Sequence, residues 1–187
     1  MKLKKIGVLL AVATLVGVTG VPAQAREPLR DSTDRAFLRE ILRSVNSYRA
    51  RHGVPPVKLD TKVTRYAKSR AATVSSREQL REAHRGLDHK YGENLFWHGS
   101  TEPNKVAASA AVRAWYEESS KYDFDSGQFS EETGHFTQLV WKGTKRIGAA
   151  RADGKGDDEM HESYIVVNFS PPGNMTGAFK ENVLPAT

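Results

Sequence analysis

The spacing of apolar residues along the chain changes repeatedly and marks out a succession of short elements. From Ser32, read as an N-cap, Phe37, Ile41, Leu42 and Val45 recur at helical spacing toward Arg51. His52-Gly53-Val54-Pro55-Pro56 ends that helix: glycine can close it and the prolines cannot continue it. A second helix is predicted after Asp60, with Val63, Ala67 and Ala71 on one face. Residues 76–92 lack a period and read as a polar loop carrying His84 and His89, and residues 93–97 read as a short strand. An alanine-rich helix is expected from about Asn104 to Tyr122, with Val106, Val112, Trp115 and Tyr116. After a polar loop at 123–134 comes a short helix at 135–141. Strands at 147–152 and 163–169 then flank a hairpin-like acidic stretch at 153–159, taken as solvated, and a Pro- and Gly-punctuated tail follows. No internal repeat occurs. The pattern predicts one α+β domain with helices outside a small antiparallel sheet.

Composition narrows the chemistry. The 187 residues contain no cysteine, which excludes disulfides, a thiolate nucleophile and Cys-ligated metal centres. Charged residues make up 27%, too many for a chain of several membrane spans. At the N-terminus, Lys2, Lys4 and Lys5 precede an apolar run at 6–21 that closes on Pro22-Ala23-Gln24-Ala25. This is the pattern of a secretory signal peptide over 1–25, and the run is short for the ~20 residues of a spanning helix. The predicted organisation is a signal peptide at 1–25, a short lead-in at 26–33 and a domain at 34–185, with no integral membrane span after cleavage and a secreted, extracellular destination. Cleavage would remove three lysines and no acid from a chain of 28 basic and 22 acidic residues, leaving 25 and 22 and lowering the net charge from +6 to +3. That excess is spread along the sequence, so nucleic acid is not an expected partner.

Two adjacent glutamates in the third helix separate by geometry. Glu117 has Arg113 and Lys121 four residues to either side and belongs to a solvated, ion-paired face. Glu118 shares its face with Ala111, Ala114, Trp115 and Tyr122, on or beside the apolar stripe. A carboxylate there needs a partner to offset its desolvation. It could equally sit at the rim of the stripe and bond a backbone amide. His135, within Gly134-His135-Phe136-Thr137, and Glu93, within Tyr91-Gly92-Glu93-Asn94-Leu95, add to His84 and His89 a set able to bind a divalent cation or exchange protons. The spacing has no local metal signature, and the acidic stretch at 153–159 lacks the positions of an EF-hand loop.

The segment 134–142, Gly-His-Phe-Thr-Gln-Leu-Val-Trp-Lys, resembles the first diagnostic motif of the CAP superfamily of cysteine-rich secretory, antigen 5 and pathogenesis-related proteins. Similar matches occur at Tyr91-Gly92-Glu93-Asn94-Leu95, at Trp115-Tyr116-Glu117-Glu118 and at Asn168-Phe169-Ser170-Pro171-Pro172-Gly173-Asn174, which looks like the second diagnostic motif. Asn46, Arg49, His52, Gly53, Pro55 and Pro56 match the family's first helix and turn. The ending Phe179-Lys180-Glu181-Asn182-Val183-Leu184-Pro185 is similar to the Golgi-associated pathogenesis-related branch, which also lacks the usual disulfides. The resemblance implies a three-layer α-β-α sandwich with a small, mostly antiparallel sheet and a cleft lined by two His and two Glu. Carried over, these are His84, Glu93, Glu118 and His135, with His84 preferred to His89 although Arg85 stands where a Ser commonly follows the first His.

The resemblance implies a secreted binding module rather than an ordinary enzyme. The tetrad His84, Glu93, Glu118 and His135 would hold a divalent cation such as Zn²⁺, conditionally. The alternative is a metal-dependent peptide or ester hydrolase using Glu118 and Glu93, since no G-x-S-x-G elbow and no cysteine supply a covalent nucleophile. Lipid, sterol or an extracellular macromolecule are the expected partners. Phe96, Trp97, Phe124 and Phe129 are the candidate aromatics, with Phe96 and Trp97 expected to fill the core instead.

Overall fold

The computed structural model describes residues 26–77, 80, 84–103, 105–156 and 159–187. The expected signal peptide and Asn104 lie outside the described residues.

Helix α1 (Arg35–Arg51) starts two residues later than Ser32 would have it, because Asp34 is the cap: its side chain accepts from Phe37 N at 2.8 Å. Ser32 instead turns to the sheet, where its hydroxyl bonds the Arg151 carbonyl at 3.3 Å. Phe37, Ile41 and Val45 are buried along one face, and Arg49 continues that stripe, fully enclosed. Its guanidinium donates to the carbonyls of Pro55, Leu139, Trp141 and Thr144. With no carboxylate among these partners, burial pushes its pKa down to about 10. Arg49 thereby stitches the end of α1 to the carbonyl end of α4 (Gly134–Val140).

Helix α2 (Thr61–Ser75) is capped by Asp60, as the sequence indicates. Strands β3 (Gly92–Ser100), β4 (Arg146–Lys155) and β5 (His161–Ser170) form an antiparallel core in which β5 is central. The outer edge of β4 is shared. β1 (Arg30–Asp31) pairs antiparallel near Ala152 and Asp153, and β2 (Lys58–Leu59) pairs parallel near Arg146 and Ile147. Arg30 and Asp31, within the expected lead-in at 26–33, therefore join the edge of the sheet. Asp153 is likewise not in a solvated turn. It lies in β4, with Arg151 Nε 3.1 Å away.

Alternation along the strands builds two layers of core. One face of the sheet presents Ile147, Ala149, Ile165, Val167 and Phe169 to α1, α4 and α3 (Ala108–Glu117). The other presents Leu95, Ala150, Ala152, Tyr164 and Val166 to α2. Helix α2 comes so close that a Cβ on Gly148 would lie 2.1 Å from Thr64 N and the Val63 carbonyl carbon, so that position admits only glycine. A short helix, α5 (Phe179–Asn182), closes the first layer through Phe179. The result is the expected α-β-α sandwich with a mostly antiparallel sheet. Among the described residues no helix is long and apolar enough to cross a membrane.

Candidate functional site

Helix α3 stops at Glu117, and the chain tightens into a 3₁₀ turn over Glu118–Lys121. This turn swings Glu118 toward the start of α4. Its Oε2 accepts from the backbone N–H of His135 at 3.0 Å and of Phe136 at 3.1 Å, while Oε1 lies 2.7 Å from His135 Nδ1. The two sequence readings of Glu118, inward-facing carboxylate and amide-bonded rim residue, are both realised by one side chain. It supplies the cap that α4 lacks, since Thr133 makes no side-chain capping bond. Glu117 points to solvent with Arg113 at 3.9 Å, whereas Lys121 pairs with Glu132 instead.

His135 is held at Nδ1, at one ring face and at its backbone. Trp115 stacks on its ring, centroids 6.3 Å apart, and Trp115 Nε1 bonds the Leu95 carbonyl at 3.0 Å. Asn94 Nδ2 donates to the His135 carbonyl at 2.9 Å. The motif at 168–174 buttresses the motif at 134–142: Asn174 bonds Thr137 Oγ1 and the Gly134 carbonyl, and Gly173 N donates to Gln138 Oε1.

The second pair is built differently. His84 Nδ1 lies 3.1 Å from Glu93 Oε1, so the structure joins His84 rather than His89 to Glu93. His89 stands in an exposed turn, with no hydrogen bond to the four residues. Glu93, at the start of β3, is gripped by Arg70 of α2 in a two-pronged pair, Nε to Oε2 and Nη2 to Oε1, each 2.7 Å. Asn168 Nδ2 adds a bond to Oε2 at 3.1 Å. Burial alone would raise the Glu93 pKa, but the Arg70 guanidinium, His84 and Asn168 together hold it below the usual carboxylate value. Arg70 also donates to the Arg85 carbonyl at 3.0 Å, which ties the histidine loop to α2. Sequence reasoning missed Arg70. The available signal was its place on the buried stripe of α2, beside Val63, Ala67, Ala71 and Val74.

The four residues thus form two His–Glu pairs, at β3 and at α4. Among the described residues no group of three or more His, Asp or Glu side chains is arranged to hold a metal ion. Both carboxylates are spoken for, Glu93 by Arg70 and Asn168, Glu118 by two amides. Each histidine engages its carboxylate through Nδ1. A carboxylate oxygen only accepts, so Nδ1 carries a proton in each pair and Nε2 is the nitrogen left out of the contact. Of the aromatics considered for a lipid groove, Phe96 and Phe124 pack on the core and Trp97 donates to Glu162 Oε1 at 3.1 Å. Phe129 is 54% exposed.

A three-layer α-β-α domain with this pair of His–Glu contacts beside an edge strand defines a recognisable class of protein. A profile of the Cysteine-rich secretory protein family (CAP) matches residues 42–169, and the chain belongs to this family. It is 36% identical over 156 residues to the human Golgi-associated plant pathogenesis-related protein 1, covering 82% of this chain and 96% of that protein. The absence of cysteine fits the disulfide-free branch indicated by the ending at 179–185. Against Secreted protein RBT4 of Candida albicans the identity is 37% over 148 residues, 77% of this chain but only 37% of that longer protein. In fold, the chain is similar to the crystal structure of NaASP2 with Zn²⁺, with a TM-score of 0.56 and 21% identity over 90% of this chain and 91% of the other.

Proposed function

We propose that this is a secreted, non-enzymatic binding module whose two histidines present Nε2 to a divalent cation, with Glu93 and Glu118 orienting the rings rather than ligating. The observation that carries this reading is the shared Nδ1-to-carboxylate contact of His84 and His135. It is the outer-shell arrangement that fixes the tautomer of metal-binding imidazoles. Zn²⁺ accepts such nitrogens and leaves positions for water, and when bound it would supply Lewis acidity. The Zn²⁺ in the similar NaASP2 structure supports the choice of ion, and relatives named as secreted support the location. With both carboxylates held by Arg70 and by backbone amides, neither is left as a general base, which favours binding over hydrolysis. Exposed Phe129 and Met175 are apolar contacts open to a lipid or macromolecular partner.

Zn²⁺ titration calorimetry tests the site. The wild-type protein should show a saturable site that disappears in the double variant His84→Ala, His135→Ala. Unchanged binding in that variant removes the assignment. Metal-dependent turnover of a peptide or ester library, abolished by Glu118→Gln, would install the hydrolase reading in its place.

A further inference from the structure

The exposed face of α1 carries arginine at positions 35, 39, 43 and 51, with Ser47 completing the four-residue spacing. Along the sequence these charges look scattered; on the helix they form one stripe. Like charges four residues apart oppose the helix that bears them, so a ligand that neutralises them is favoured. The stripe borders a groove of about 450 Å³ between α1 and the first half of α3, within the roughly 300–1,000 Å³ of small-ligand clefts.

Arg43 and Arg51 of α1 line one side and Arg113 of α3 the other, and Ser44, Ser47 and Ser109 also line the groove. Among the described residues no carboxylate is within ion-pair distance of Arg43 or Arg51, and Glu117 reaches Arg113 only at 3.9 Å, with both side chains about two-thirds exposed (68% and 70%). Near the groove, Glu40 accepts from Ser109 N at 2.9 Å at the start of α3; burial would raise its pKa, but that bond and the charge of Arg43 hold it below the usual value. Arg51 is held in place, its guanidinium 4.8 Å from the Tyr48 ring and 5.5 Å from that of Tyr116, which are themselves stacked at 4.0 Å. A guanidinium resting on rings is preorganised and keeps its N–H edge for a ligand.

We propose that the groove between α1 and α3 binds a multiply charged oxyanion ligand, a sulfated or phosphorylated sugar or polyol, between Arg43 and Arg51 on one side and Arg113 on the other. Guanidinium forks match the paired oxygens of sulfate and phosphate, and the serine hydroxyls suit the remaining oxygens or the ligand's own hydroxyls. The site is separate from the two His–Glu pairs and does not depend on a cation there.

Calorimetric titration of the full protein at low salt uses three probes: a heparin-derived sulfated tetrasaccharide, inorganic tripolyphosphate and an unsulfated tetrasaccharide. Saturable one-to-one binding of either charged probe, with none of the neutral one, is expected. A charged probe that binds alone identifies the source as sulfate or phosphate. Arg43→Gln, Arg113→Gln should weaken binding by about 10- to 100-fold, while His84→Ala, His135→Ala leaves it unchanged. Lys62→Gln, Arg65→Gln, which removes equal charge from the exposed side of α2, should also leave it nearly unchanged. Equal weakening in the α2 variant would reduce the effect to net charge and overturn the proposal. So would failure of both charged probes to bind, or binding confined to duplex DNA or phosphatidylserine vesicles run alongside.

Discussion

The two His–Glu pairs use the same contact, an imidazole Nδ1 against a carboxylate, yet they are held by opposite means. At α4, Glu118 is fixed by neutral donors: two backbone amides at a helix start, with the stacked Trp115 behind the ring. At β3, Glu93 is fixed by a full positive charge, the buried Arg70. The histidines differ in the same way. His135 belongs to a helix and is 34% exposed, while His84 belongs to a loop and is 51% exposed. One pair is a helix cap with an imidazole attached. The other is an ion pair with an imidazole leaning on it. The comparison shows that equal chemistry at the two rings can rest on very different structural foundations, and each foundation can be removed separately.

The largest effect belongs to Arg70. Arg70→Met leaves Glu93 buried without its cation, and breaking such a pair costs about 3–5 kcal/mol. Arg70→Met, Glu93→Leu removes both charges and should recover most of the loss, as read by urea unfolding at neutral pH. If the double variant is no more stable than the single one, the ion pair is not what holds this half of the site. The same carboxylate shapes the acid limb of stability. Its folded pKa lies below the usual 4.5, so its contribution is complete above that value and is lost as pH falls through the lowered folded value. Between about pH 5 and the acid transition, stability should fall less steeply in Glu93→Gln than in wild type. Parallel curves would show that Glu93 does not titrate with folding.

Glu118→Gln attacks the other foundation. An amide can no longer accept at both ends, so either the two N–H groups, which share one oxygen, or the His135 ring lose their acceptor, and replacing a charged acceptor costs about 1–2 kcal/mol. Amide exchange at His135 and Phe136 should accelerate while exchange along β3 stays unchanged. Zn²⁺ affinity should drop about 10- to 100-fold through loss of the ring's orientation. Accelerated exchange spread equally over β3 would mean that the two pairs form one cooperative unit.

Much of this was legible beforehand, and the misses share a cause. Clusters of apolar residues located α1, α2, α4, β4 and β5, because each buries several of them. The inward placement of Glu118 followed from its neighbours on the stripe, and the choice of His84 from the resemblance. Arg49 and Arg70 were opaque as structural residues because a charge on an apolar stripe interrupts a pattern instead of completing it. Most of their partners are distant in sequence: the carbonyls of Leu139, Trp141 and Thr144 for Arg49, and Glu93 for Arg70. β1 escaped notice because two residues carry no period, and its place is set by β4. Ser32 and Asp34 are both good caps, and the register of the sheet, which claims Ser32, decides between them. The arginine stripe of α1 was read as dispersed charge because its members share a face and not a segment.

The smallest effect sharpens the comparison most directly. The His84 ring is half exposed, and Glu93 keeps Arg70 and Asn168 when it is gone. His84→Ala should therefore change stability by no more than about 0.5 kcal/mol, the range of an ordinary surface substitution. His135→Ala removes a ring stacked on Trp115 and leaves Glu118 Oε1 without its side-chain donor, for a cost of about 1 kcal/mol. Both variants should lose the Zn²⁺ site if each imidazole supplies one ligand. A thermal melt and a Zn²⁺ titration on the same two samples separate the roles: unequal loss of stability with equal loss of metal means that the rings are functional equals on unequal supports. If His84→Ala keeps the metal, the cation belongs to His135 alone, and the Arg70–Glu93 pair is architecture that braces β3 against α2.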